Sequence, residues 1–286
     1  MEKIKIAVAA AHDAYVLHAV QEVLKKDSAS FILVGRSDCI KETAEKEGID
    51  LSGCEILDCE DKDCALESVR LVKNGRAQVL MKGLLQTADI MRAVLNKEEG
   101  LRTGRTLSHI SVLKTPEGRE IIVTDAAMIP YPDFKQKVDI VKNAVEAASK
   151  MGKTMPKVAI LAAVENVNPD MPSTMDAAAI SLMNQRGQIK NCTVDGPLAF
   201  DNAFSKEAAE HKGIKSPIQG DADILVTPNI EAGNVLVKSA VYIGKCLMGG
   251  FIWGAAAPIV LTSRADSIQS KVFSIECAVK AAGGNI

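Results

Sequence analysis

The stretch that decides the fold runs from residue 3 to residue 35, KIKIAVAAAHDAYVLHAVQEVLKKDSASFILVG. Its opening, Lys3–Ala10, ends in an unbroken apolar run and reads as a strand. Asp13 follows, a short acceptor side chain suited to capping a helix over Ala14–Lys26. Phe31–Val34 is a second short β-rich run, stopped by Gly35. Strand, helix and strand in about thirty residues is the unit of a parallel sheet, because parallel strands require a crossover connection.

The alternation continues outward from that unit. A helix is expected over Ile40–Lys46, ended by Gly48, then a strand at Glu55–Cys59 and a helix over Ala65–Asn74, ended by Gly75. Ala77–Met81 reads as a buried strand with Lys82-Gly83 at its carboxyl end. Thr87 is placed to cap a helix in which Ile90, Met91, Val94 and Leu95 recur at helical spacing. Ser108–Lys114 and Glu120–Thr124 flank a Pro116-Glu117-Gly118 turn as a hairpin. Beyond it come a helix striped by Val138, Val141, Val145 and Ala148, a strand at Lys157–Val164 and a helix at Thr174–Asn184. Thr193–Asp195, Ile224–Thr227 and Ile259–Leu261 complete the strands, and a last helix is expected from about Ile268. The pattern predicts an α/β fold of largely parallel sheets covered by helices, in two lobes that meet near Asp125–Pro132 with a cleft between them.

Composition narrows the function classes. The 34 basic and 36 acidic residues nearly cancel and form no block, so the concentrated positive surface that nucleic acid requires is missing. Aromatic residues are only 3%, too few for base-stacking platforms. The amino-terminal stretch lacks a secretory pattern, and the uncharged run Cys246–Ser263 is divided by Gly249, Gly250, Gly254 and Pro258. Neither nucleic acid nor membrane is expected as a partner. Cys54, Cys59 and Cys64 are each separated by four residues, which fits neither a zinc ribbon nor a redox pair. The four histidines show no metalloprotease spacing, so no metal site is expected and the thiols read as reduced, cytoplasmic cysteines.

In open α/β sheets ligands bind beyond the carboxyl ends of the strands, and polar clusters recur there. Lys82-Gly83 follows one strand, and Gly196-Pro197 with Asp201-Asn202 follows another. Pro228-Asn229 with Glu231, Gly233 and Asn234 follows a third, and Thr262-Ser263-Arg264 a fourth. The last is the sharpest, since hydroxyls, a guanidinium and a helix start are the groups that hold phosphate or an oxyanion. Each cluster also has a plain reading as turn and cap chemistry. Thr103-Gly104-Arg105 is a second basic loop whose glycine lets the backbone approach an anion. No nucleotide fingerprint of the G-x-G-x-x-G or P-loop kind follows any strand.

Six segments then carry a resemblance: MKGLLQTADIMRAVL, TGRTLSHISV, VENVNPDMPSTMDAAAISLM, DGPLAFDNAFSKEAA, SPIQGDADILVTPNIEAGN and PIVLTSRADS. In this order, from Met81 onward, the chain resembles the phosphate acetyl/butyryltransferase family, in its butyryl branch. The resemblance implies a two-lobed fold like that of isocitrate and isopropylmalate dehydrogenases. The first lobe would be discontinuous (1–130 and 251–286) and the second would hold 131–250. It implies reversible conversion of an acyl-CoA and phosphate into an acyl phosphate and CoA by direct transfer in a ternary complex. No metal or prosthetic group is implied, CoA being a substrate, and the implied assembly is a homodimer or larger. By the same resemblance Ser263 would stabilise the transition state at the thioester carbonyl and Arg264 would hold phosphate. Arg92 would bind an anion, Arg105 would contact phosphate or CoA, and Asp201, Asn202 and Glu231–Asn234 would line the cleft. One departure stands out: the acetyl branch carries an acid seven positions after the serine as base for the CoA thiol, and here that position is Ser270. Asp266, Asp201 and Glu231 are the candidates to replace it. Two other readings of the same fold stay open: a metal- and nicotinamide-dependent dehydrogenase, and a non-catalytic acyl-CoA-binding protein.

Overall fold

A computed structural model describes residues 3–263 and 266–284. In chain order the first elements are β1 (Lys5–Ala9), α1 (Ala14–Lys25), β2 (Ser30–Gly35), α2 (Ser37–Glu47), β3 (Cys54–Asp58), α3 (Cys64–Lys73), β4 (Val79–Lys82) and α4 (Thr87–Val94). There follow β5 (Ser108–Lys114), β6 (Glu120–Thr124), α5 (Phe134–Lys150), β7 (Lys157–Leu161), α6 (Pro172–Gln185), β8 (Thr193–Leu198), α7 (Phe200–Phe204) and α8 (Lys206–His211). The last are β9 (Ile224–Val226), α9 (Ile230–Tyr242), β10 (Leu247–Trp253), β11 (Ile259–Val260) and α10 (Ile268–Ala281).

The chain divides into two compact units, residues 1–105 with 249–286, and residues 106–248. In the first, the strand order is β3-β2-β1-β4-β11-β10. All neighbours are parallel except β10, which runs against β11. The reason lies in the apolar runs: Ile6–Ala9 are wholly buried, as strands covered on both faces must be. Asp13 caps α1, its Oδ1 accepting the Val16 N–H at 2.9 Å. α2 ends on Gly48 in the left-handed conformation (φ 65°), where a side chain would be strained.

The second unit has the order β5-β6-β9-β7-β8. Its β5–β6 hairpin is antiparallel and the remaining pairs are parallel. The hairpin belongs to this unit because β6 pairs with β9 over Ile122–Thr124. A capping box starts α5, with Asp133 and Gln136 each accepting from the other's main chain.

Several elements escape the sequence pattern. β10 is a strand although LMGGFIW holds two glycines at its centre. A Cβ on Gly249 would come within 2.8–3.0 Å of the Phe273 ring and main chain, so glycine lets β10 lie directly on α10. Glu231–Asn234 are the first turn of α9, not a loop, and Asn229 caps that turn by accepting the Ala232 N–H at 2.9 Å. The cap of α4 is Gln86, one residue before Thr87, and it makes no side-chain bond there. All seven cysteines are free thiols, with the Cys59 and Cys64 sulfurs 3.4 Å apart. No helix among the described residues is long and apolar enough to cross a membrane.

Candidate functional site

In the first unit β1, β4 and β11 are parallel neighbours, with Ala9 opposite Lys82 and Met81 opposite Val260. Their carboxyl ends therefore deliver Ala10–Asp13, Lys82-Gly83 and Thr262-Ser263 side by side on one edge. Gly83 is there for close approach. Its N–H donates to the Ala9 carbonyl and the Leu84 N–H to the Ala10 carbonyl, both at 2.8 Å. A Cβ at position 83 would sit 2.3 Å from the Ala10 oxygen. Lys82 is buried at the same edge, its Nζ donating to the carbonyls of Gly83 (3.2 Å) and Leu85 (3.3 Å).

Ser263 is solvent-exposed and outside regular structure, yet charged side chains hold both sides of its main chain. Its N–H donates to Asp266 Oδ2 at 2.7 Å, and its carbonyl accepts Lys271 Nζ at 2.6 Å. Lys271, on α10, is only 2% exposed. Burial pushes its pKa down, opposed by the negative charges of Asp266 and Asp13. Sequence reasoning missed this lysine because it sits within a helix, eight positions beyond the serine. Ser270 lies in the first turn of α10, its N–H donating to the capping Ser267 Oγ at 3.1 Å. In the loop that follows β1, His12 offers a buried Nδ1 with no hydrogen-bond partner among the described residues. Arg264 lies outside the described residues.

Arg92, Thr103, Gly104 and Arg105 also belong to the first unit. Arg92 projects from the last turn of α4 and pairs with Asp89 on its own helix, at 2.9 Å, with its side chain 76% exposed. Thr103 Oγ1 donates to the Gly254 carbonyl and accepts the Arg105 N–H at 3.3 Å. Gly104 takes φ 80° between them, which fixes the loop as a turn. Arg105 is an exposed residue.

The second unit gathers its own set at the carboxyl ends of β6, β9, β7 and β8. Glu165 and Asn202 are hydrogen-bonded to one another, and Lys212 bridges Glu165 (2.7 Å) and Asp201 (3.0 Å). The hydrogen bond from Lys212 holds both carboxyls below their usual range, which makes Asp201 a poor base. Gly233 lets α9 approach Asp125 and Thr227, since a Cβ there would lie 2.7 Å from the Asp125 carbonyl and from Thr227 Oγ1. Asn234 Nδ2 donates to the Ala126 carbonyl at 3.3 Å. The Tyr131 hydroxyl donates to Glu231, and this bond raises the phenol pKa. Asp125 is a further residue the sequence did not single out. Burial raises its pKa against two 2.9 Å bonds from the Ala127 and Met128 N–H groups, and its Oδ2 is buried without a partner among the described residues.

Among the described residues no three His, Cys, Asp or Glu side chains come together as a metal site would require. The arrangement offers anion-binding cations and a positioned hydroxyl on the first unit, and hydrogen-bonding amides and carboxylates on the second.

Comparison with known proteins places the chain in a family. The chain matches the family described as phosphate acetyl/butaryl transferase over residues 1–68 and 61–279. It is 50% identical over 281 residues to the phosphate butyryltransferase of Clostridium acetobutylicum, covering 98% of this chain and 93% of that one. It is 44% identical over 272 residues to the phosphate acetyltransferase of Thermotoga maritima, covering 95% and 92%. A branched-chain phosphotransacylase from Enterococcus faecalis V583 superposes with a TM-score of 0.88 at 35% identity, over 99% of this chain and 100% of that one. A putative 4-hydroxythreonine-4-phosphate dehydrogenase from Salmonella typhimurium, covering 98% and 100%, gives 0.65 at 12% identity, a likeness of fold alone. With half its residues shared over nearly full length, the chain belongs to the phosphate acetyl/butaryl transferase family and is an acyltransferase.

Proposed function

We propose that the chain converts a short-chain acyl-CoA, butyryl-CoA or one of similar size, and phosphate into acyl phosphate and CoA. Transfer is direct, within a ternary complex, in the cytoplasm, and needs no metal or prosthetic group. A phosphate oxygen attacks the thioester carbon, the carbonyl electrons move to oxygen, and their return expels CoA as a thiolate. The Ser263 hydroxyl donates to the developing oxyanion, and Arg264, Arg92, Arg105 and Lys82 attract the phosphate and CoA anions. Phosphate at neutral pH already carries the lone pair and charge it needs. The forward direction therefore requires no general base, and Ser270 in place of an acid costs it nothing.

In the reverse direction the CoA thiol must ionise. A free thiol titrates near 8.5, so a few per cent is thiolate at pH 7, and nearby cations raise that share. All three candidates for a base already accept a hydrogen bond, Asp266 from the Ser263 N–H, Asp201 from Lys212 and Glu231 from the Tyr131 hydroxyl, so the thiolate fraction is set by the cations and not by a dedicated base.

The observation that carries this reading is the pinned Ser263 loop beside Lys82 on one sheet edge. The test mixes purified protein with butyryl-CoA and follows thiol release with and without phosphate. Phosphate-dependent release is expected, and Ser263→Ala should lower turnover about 10²-fold with substrate binding largely kept. CoA binding without phosphate-dependent release, across acetyl, butyryl and branched acyl chains, would refute it in favour of a non-catalytic protein.

A further inference from the structure

We infer that Lys271 is a positioning residue for the reaction, acting through Ser263. This rests on the proposed role of that serine. The geometry is specific. Ser263 stands in a loop after β11, where neither a helix nor a sheet ladder fixes its orientation. Its preceding peptide is held by Asp266 on the N–H (2.7 Å), and its following peptide by Lys271 on the carbonyl (2.6 Å). With both flanking peptide planes fixed, the direction of the Cα–Cβ bond is fixed, and with it the region the hydroxyl sweeps. The two restraints differ in origin. Asp266 lies in the same loop, whereas Lys271 is anchored in α10, a helix whose residues 271–275 are all buried. The lysine ties the serine to a helix of the first unit.

The burial of Lys271 points the same way. A lysine at 2% exposure has given up hydration and most of its side-chain freedom, and buried charges persist where they have partners. Its partners are the Ser263 carbonyl and, electrostatically, Asp266 and Asp13. Asp13 is the cap of α1, so the charge also faces the loop that follows β1. A methionine of similar length would fill this space without desolvating an ion. What it would lose is the grip on the serine. Displacing a catalytic group by about 1 Å can cost 10²-fold in rate.

The experiment is a double-mutant cycle of Ser263→Ala and Lys271→Met on the full chain, reading kcat, the KM values and urea unfolding. Lys271→Met is expected to lower kcat about 10- to 100-fold, with KM for acyl-CoA and phosphate changed less than about threefold. In the Ser263→Ala background the same change should lower kcat less than about threefold, because no hydroxyl remains to be misplaced. A lysine that merely supported the fold would move the unfolding midpoint and would not show this coupling. Lys271→Gln, which keeps a neutral donor, goes through the same cycle if the methionine variant unfolds at assay temperature. Equal loss of kcat in both backgrounds, with Ser263→Ala itself impaired, would overturn the role of Lys271 and leave that of Ser263 standing. Full turnover by Ser263→Ala would overturn both.

Discussion

Gly83 is where the site and the fold meet most tightly, so Gly83→Ala is the most informative single change. The added Cβ would sit 2.3 Å from the Ala10 oxygen, 2.7 Å from the Ala9 oxygen and 2.9 Å from the Ala10 carbonyl carbon. All three are main-chain atoms, so no rotamer relieves the clash, and the loops must part by about 1 Å to restore ordinary contact. Overpacking of this kind costs about 1–3 kcal/mol. Weakening the bonds from the Gly83 and Leu84 N–H groups adds about 1 kcal/mol more. A total of about 3 kcal/mol corresponds to a fall in Tm of roughly 6–12 °C in a chain of this class. Displacing Lys82 and the Ala10–Asp13 loop should also lower phosphate-dependent thiol release about 10-fold or more. Gly75→Ala is the control. Its φ of 74° strains an alanine by about 1–2 kcal/mol, but nothing lies within 4 Å of the new Cβ, and activity should be kept. Urea unfolding and the thiol assay on both variants decide the matter. A Gly83→Ala protein as stable and active as the parent would refute the close-approach reasoning.

Other outcomes follow from individual groups. Burial pushes His109 down to about 4, so the unfolded chain binds a proton that the native one refuses. Stability should fall as pH drops from about 6.5 toward 4, by up to about 1.4 kcal/mol per pH unit, and His109→Gln should flatten that limb in urea titrations at stepped pH. Arg92→Ala should raise KM for phosphate or CoA several-fold while leaving the unfolding midpoint unchanged, because its pair with Asp89 is exposed. In the direction that consumes acyl phosphate, the rate at low CoA should rise nearly tenfold per pH unit up to about 8.5, whereas phosphorolysis of acyl-CoA should stay nearly flat. Dialysis against a chelator should leave phosphate-dependent thiol release unaltered, and a loss restored by added metal would sink the metal-free reading.

Much of the fold was legible because burial writes itself into the sequence. Covered strands such as Lys5–Ala9 are continuous apolar runs, and helix ends carry their caps, as Asp13 and Gly48 do. What stayed hidden depended on contacts between distant segments. The glycines of β10 look like breakers until Phe273 is seen against them, and α9 begins with residues that read equally well as a turn. The candidate site divides the same way. Hydroxyls and cations after a strand announce anion chemistry, which makes Ser263 and Lys82 candidates from sequence. Lys271, Glu165 and Asp125 give no such signal, because a helical lysine or a lone carboxylate looks ordinary without its neighbours. Only the fold gives each of them its neighbours.

The strand that leads to Ser263 follows residues 106–248 in the chain, yet it lies inside its sheet, between β4 and β10. During translation residues 106–248 form a continuous stretch and can close as soon as they leave the ribosome. The amino-terminal 105 residues must meanwhile wait with one flank of β4 unpaired, a template for stray strands. On the proposed role of Ser263, a chain halted before residue 249 would keep its second unit but lack phosphate-dependent thiol release.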